Sequence, residues 1–373
     1  STWIPEVIAL DHVSLVRNPY YWKVDTEGNQ LPYIDRIKGV LAERIELRVA
    51  KILSGEPDLV GEHDVDISKF PVIMQTADEN NYRVSLEEDV SCEPPAVWQV
   101  GFYFNHTVPD PFLRELFSDV RFKQALSLAI DRSEVCQLVF LGRAAPNENT
   151  LSPASPFYEK RAHAVYDPQR AKRLLDEIGL KTNKEGYRLR PDGKVLNLII
   201  TTAPWIGTHA PTAELVEDYW EKIGIKTSIN ATGGGEMWTL FDANKSQISM
   251  WYWGQVKYCE VLTYPQWWVT CAFWGRQWQL WFSTGGKSGE EPPEDVKEFV
   301  NNWRNIPQAI SQEERVSLGK KAVRLLWKNL WFIGVATEPP TVRAARKSLR
   351  NIDIDKIGTV YETWAAYQWF WKK

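Results

Sequence analysis

No run of about 18 apolar residues occurs anywhere in the chain, so no membrane-crossing helix is written into it. Positive charge is not in surplus either. The 44 Lys and Arg face 48 Asp and Glu, which argues against a nucleic-acid binder and its basic face. Cysteine is scarce: Cys92, Cys136, Cys259 and Cys271 form no CxxC pair and no metal-like spacing. Cys259 and Cys271 are near enough in sequence to bridge in an oxidising compartment, but isolated buried thiols are the expectation. The opening Ser1-Thr2-Trp3-Ile4-Pro5 has neither the basic start nor the apolar stretch of a leader, so the chain reads as mature or truncated.

Catalytic signatures are also missing. There is no HExxH, GxSxG or GxGxxG. Ser283-Thr284-Gly285-Gly286-Lys287-Ser288 ends like a phosphate loop, but Trp281 stands where such a loop has its leading glycine. Without that glycine the backbone amides cannot wrap a phosphate, and an ordinary turn is expected. Gly233-Gly234-Gly235 precedes a predicted helix, whose N-terminal amides suit an anion; a loop needing positive φ is the plainer account. His63 sits among acids in Glu62-His63-Asp64-Val65-Asp66 without a third convergent ligand, and His209 falls in a predicted loop. No cofactor, no metal and no enzymatic activity are expected.

What is present is an ordinary globular composition, 44% hydrophobic and 25% charged, over 373 residues, enough for about two domains. The abnormal number is tryptophan, 19 in all, seven of them between Trp251 and Trp281. Residues 11–17 alternate as a strand, and residues 44–53 read as a helix stopped at Ser54-Gly55. Residues 97–105 are apolar at nearly every position, as in a strand buried on both faces. A helix is predicted over 120–130, followed by a capping box at Asp131 and Glu134. Asp167 is a plausible N-cap for a helix with Pro168 at its first position and Gly179 as its stop.

From there the order alternates: strand 195–202, helix 211–223, strand 226–231, helix 236–244, strand 247–253. That order signals an α/β layer with crossover connections. Helix 296–303 and a last long helix capped by Ser311 follow, and the tail turns extended at 331–336.

In open α/β sheets ligands bind beyond the carboxyl ends of the strands. Trp251 and Trp253 end a predicted central strand, and a dense aromatic run follows. Indole faces pack against the C–H face of a sugar ring, and indole N–H groups offer hydrogen bonds. The plainer account of any one tryptophan is core, but seven stacked indoles are hard to pack as core. The candidate ligand-binding residues are therefore Trp251, Trp253, Gln255, Tyr258, Trp267, Trp268 and Trp274, with Trp98 near the start of strand 97–105. A carbohydrate-active enzyme shares such richness but needs two carboxylates across a cleft.

Several runs carry a family resemblance: Leu15-Val16-Arg17-Asn18-Pro19-Tyr20-Tyr21-Trp22, Leu53-Ser54-Gly55-Glu56-Pro57-Asp58, Phe102-Tyr103-Phe104-Asn105, residues 117–132, Tyr166-Asp167-Pro168 and Gly224-Ile225-Lys226. In this order they resemble the family 5 extracellular solute-binding proteins, the dipeptide, oligopeptide and oligosaccharide receptors of ABC importers. The resemblance implies an α/β, periplasmic-binding-protein-like fold of type II, two lobes closing over a ligand, with the first lobe incomplete. Residues 1–100 would be part of the first lobe, 101–335 the C-terminal ligand-binding lobe and 336–373 the return to the first. Residues 102–105 and 332–336 would be the hinge crossings. It further implies a periplasmic or extracellular monomer, lipid-anchored or free, that delivers a small molecule to a membrane permease and binds no nucleic acid. Peptide binders of the family carry an Asp shortly after a Trp-Gly pair. Here Trp253-Gly254 is followed by Gln255-Val256-Lys257-Tyr258-Cys259-Glu260, which tilts the expectation from peptide towards oligosaccharide.

Overall fold

An antiparallel three-stranded sheet opens the computed structural model: β1 (Trp3–Ile8), β2 (His12–Arg17) and β3 (Arg36–Val40). The structure describes residues 1–42, 44–61, 64–87, 99–148, 156–159, 165–253, 273–337, 340–354 and 366–372. β2 lies where the alternation placed it. β1 was not legible, because Pro5 interrupts it. A proline lacks the ladder N–H and is tolerated because β1 is an edge strand whose register shifts between Pro5 and Val7.

Next come α1 (Ile45–Leu53), β4 (Leu59–Val60), α2 (Phe70–Thr76) and β5 (Tyr82–Glu87). The α1 stop is steric as well as conformational. Gly55 has φ +73°, and a Cβ there would come within 2.7 Å of Asn80 Oδ1. The chain then builds a second body before returning. Residues Ser1–Ser91 and Pro340–Lys373 form one compact unit, and Cys92–Pro339 form the other.

The second unit contains β6 (Gln99–Phe104), α3 (Pro111–Ser118), α4 (Val120–Leu128), α5 (Arg132–Leu138), α6 (Pro168–Glu177), β7 (Asn197–Thr202), α7 (His209–Lys222), β8 (Lys226–Ala231), α8 (Gly234–Asp242), β9 (Ile248–Trp253), α9 (Arg276–Thr284), α10 (Glu294–Asn305), α11 (Gln312–Asn329) and β10 (Phe332–Thr337). Its sheet runs β10-β6-β9-β7-β8, with β7 parallel to β8 and β9, and β6 antiparallel to β9 and β10. The predicted strand–helix alternation is the β7–β9 part of this sheet.

β6 explains its own apolar run. Val100, Phe102 and Phe104 enter one core, while Tyr103 enters a second core against Phe332. Both faces are therefore covered, and nothing selects polar residues at alternate positions.

Local signals place the helices. Asp110, Asp119, Asp131, Asp167 and Ser311 each accept a backbone N–H from the first turn of the helix they precede. The Asp131–Glu134 box closes by half, since the Glu134 carboxylate takes the Tyr219 hydroxyl at 2.5 Å. Gly179 has φ +85° and ends α6.

Three expectations are corrected. Gly233 needs no positive φ: it is the N-cap of α8 at φ −62°, and Gly234 begins the helix. His209 is no loop residue but the first residue of α7, fully buried. Residues 276–284, read only as an aromatic run, form the helix α9.

The second core lies among α9, α10 and α11. Trp274, Trp278, Phe299, Trp303 and Trp331 fill it. Trp274 stacks on Trp331 at 4.5 Å between ring centroids, and Phe299 meets both edge-on. Indoles do pack as core here, because stacked and edge-on contacts alternate.

The returning chain adds β11 (Thr341–Arg346), β12 (Leu349–Arg350) and β13 (Phe370–Trp371) to the first unit. β11 is central between β4 and β5, and antiparallel to both. Its core joins Ile52, Val60, Ile73, Tyr82, Val342 and Ala344.

Candidate ligand-binding site

β7 and β9 run parallel with Thr201 beside Ser249, so their carboxyl ends point the same way and β9 continues past the end of β7. The helix after β7 leads to β8 on one side, whereas β9 flanks β7 on the other. In α/β proteins such a divergence marks where ligands bind, beyond the strand ends.

Trp251 is set there by β9, one residue beyond Met250, whose side chain enters the main core. Four rings surround its half-buried indole. Phe273 stacks at 6.1 Å and 22°, while Trp205, Trp238 and His209 approach steeply at 6.2, 6.0 and 6.0 Å. Trp238, on α8, also meets Phe241 edge-on at 5.6 Å and Phe273 at 5.7 Å. It nevertheless keeps 38% of its surface exposed, more than any other tryptophan described in this unit.

Polar groups complete the region. Asp242 lies one helical turn beyond Trp238, and its carboxylate pairs with the Arg276 guanidinium at 2.9 Å. The Asp242 side chain is well exposed, and Arg276 less so. Beneath the strand ends, Ser246 Oγ bonds Thr201 Oγ1 at 3.2 Å and Ser249 Oγ at 3.0 Å, so these buried hydroxyls are internally satisfied.

The site residues expected from the sequence separate in three ways. Trp251 is in the assembly, as its hub. Trp253 is the last residue of β9, opposite Gln99. Trp274 is corrected: at 2% exposure its indole is spent on Trp331, Trp278 and Phe299 and has no face left for a ligand. Gln255, Tyr258, Trp267, Trp268 and Trp98 lie outside the described residues, as do His63, Cys92, Cys259 and Cys271. Trp205 and Trp238 were missed. A signal existed, since each follows shortly after a parallel strand, in the stretch the strand-end rule points to.

Buried titratable groups also lie elsewhere in the unit. Lys123 on α4 is 1% exposed, and its Nζ lies 3.5 Å from His106 Nε2. Burial pushes the Lys123 ammonium down to about 7, against an opposing pull from Asp119. Burial, and then Lys123, hold His106 well below the usual imidazole range. His106 stacks on Trp278 at 5.6 Å, inside the helical layer. Burial also pushes the Cys136 thiol up to about 11, so it is an inert core group. Among the described residues no three His, Cys, Asp or Glu side chains gather as metal ligands, and no helix is long and apolar enough to cross a membrane.

The sequence profile described as bacterial extracellular solute-binding proteins, family 5 middle, matches residues 6–276. A periplasmic alpha-galactoside-binding protein of Rhizobium meliloti is 27% identical over 256 residues, covering 62% of this chain and 35% of that protein. The solved structure of the binding protein MelB from Agrobacterium fabrum C58 with stachyose superposes at a TM-score of 0.80 and 20% identity, covering 100% of this chain and 57% of its own. An oligopeptide-binding protein, OppA, superposes at 0.63 with 28% identity, covering 100% of this chain and 62% of its own. The fold is thus of the periplasmic-binding-protein type, and this chain spans between a third and two thirds of those proteins.

Proposed function

This chain belongs to the bacterial extracellular solute-binding proteins of family 5, and from that premise we propose that it captures an oligosaccharide outside the cytoplasmic membrane for an ABC importer. The observation that carries the saccharide reading is the aromatic assembly at the ends of β7 and β9, with one indole braced by neighbouring rings and left open. A braced ring loses little side-chain entropy on binding, so its contact free energy is retained. Its relatives are named as binding proteins, which supports a carrier rather than an enzyme. The membrane permease of the importer is the partner this role requires.

A carrier must release as well as capture. Affinity near micromolar, about −8 kcal/mol, suits both.

A peptide ligand is the second reading, favoured by the likeness to OppA along the whole of this chain. The two separate in one experiment: titration calorimetry of the full chain against α-galactoside oligosaccharides and against short peptides. Saturable heat with the saccharides supports the proposal. Heat with peptides alone replaces it by the second reading, and heat with neither removes the receptor role.

A further inference from the structure

We propose that Trp238, Asp242 and Arg276 form a subsite for one neutral pyranose ring, with the indole under its C–H face and the ion pair on its hydroxyls. The inference rests on the receptor reading and adds to it a ligand-facing set that the sequence did not reveal. Trp251 offers less surface for stacking than Trp238, because it is half-buried, with Phe273 stacked on it and Trp205, Trp238 and His209 approaching steeply. Trp238 is held by Phe241, Trp251 and Phe273 at centroid distances of 5.6–6.0 Å, yet keeps a broad exposed surface. A large flat ring fixed on three neighbours is preorganised for stacking and has little freedom to collapse onto the protein.

The polar half follows from helix geometry. Asp242 stands four residues after Trp238 and so shares its helix face. Arg276 reaches Asp242 from the start of α9, three residues after Phe273, which itself packs on Trp238. A carboxylate accepts two hydroxyl protons and a guanidinium donates to hydroxyl oxygens, so the pair matches adjacent hydroxyls of a sugar. Because the two charges compensate each other, the match is to an uncharged ring. An anionic or cationic ligand would have to break the pair.

The test is calorimetry of the full chain with stachyose and with a tetrapeptide, on the wild type, Trp238→Ala, Trp238→Phe and Asp242→Asn. Folding of each variant is checked by circular dichroism. The expected result is a saccharide affinity reduced tenfold or more in Trp238→Ala, reduced less in Trp238→Phe, and reduced severalfold in Asp242→Asn. Quenching of tryptophan fluorescence by stachyose should shrink in Trp238→Phe even where binding persists. Wild-type-like saccharide affinity in both folded Trp238 variants overturns the subsite and leaves the receptor reading intact. If Trp238→Ala fails to fold, unchanged affinity in Trp238→Phe and Asp242→Asn overturns it equally. A wild-type protein that binds peptide but no saccharide overturns the subsite together with the oligosaccharide reading and leaves a peptide receptor, and one that binds neither removes the receptor role as well.

Discussion

Two aromatic regions of the second unit use the same residue types for opposite ends. Among α9, α10 and α11, Trp274 and Trp331 stack at 4.5 Å and are buried with Trp278, Phe299 and Trp303. At the ends of β7 and β9, Trp205, Trp238, Trp251 and Phe273 also touch, yet they stop half-buried. Phe273 and Trp274 are consecutive in sequence: Phe273 packs on both clusters, whereas Trp274 belongs to the buried one. The difference is one of closure. Helices roof the first cluster, whereas the second lies at the carboxyl ends of the parallel strands β7 and β9. Tryptophan content therefore says that aromatic surface exists, and the layer above it decides whether that surface is core or contact.

Substitutions can break this comparison or sharpen it. The largest effect is expected for Trp274→Ala, a loss of about 3–5 kcal/mol measured by denaturant unfolding, since a buried indole leaves a cavity. A loss below about 1 kcal/mol would mean the helical layer is not the closed core described.

The next effect is one of pH, and it belongs to the same buried layer through His106 and Trp278. Lys123 titrates near 7 in the fold against 10.5 when exposed, so the unfolded chain binds more protons between these values. Stability should accordingly rise with pH across that window, by at most about 1.4 kcal/mol per unit for one proton. Below the folded value the penalty is constant. Unfolding curves collected across the window should lose this slope in Lys123→Met, and an unchanged slope would place its origin elsewhere.

Trp238→Ala should cost stability by only about 1–2 kcal/mol, because its ring is already partly in water. A cost matching that of Trp274→Ala would erase the distinction between the two regions. The smallest effect is expected for Asp242→Asn. Its ion pair is largely solvated and should alter unfolding free energy by about 0.5 kcal/mol or less. A larger change would make the pair a structural clamp.

Much of the fold was legible because local chemistry and tertiary structure agree. β8 begins at Lys226 and ends at Ala231 as its pattern indicated, and Asp131, Asp167 and Ser311 cap the helices they precede. Where the two diverge, the cause can be named. α9 was hidden because Trp278, Trp281 and Phe282, although spaced to share one helix face, sit within a longer aromatic run that reads as a single stretch. β11 was hidden because residues 342–345 are all buried, Arg343 included, so no alternation remains. At the candidate site, the strand-end rule led to Trp251. Trp238 escaped because a single tryptophan on a short helix reads as core until its neighbours are known.

The amino-acid sequence alone determined the α/β class, the helix starts capped by Asp131, Asp167 and Ser311, and the family, because these depend on periodicity, on caps a few residues long and on ordered motifs. The tertiary structure alone decided which indoles are core and which stay open. That choice is made by contacts between segments far apart in the chain, such as Trp238 on α8 with Phe273 before α9 or Trp274 with Trp331. Burial depends on what covers a ring in space, and no local pattern of residues encodes the cover.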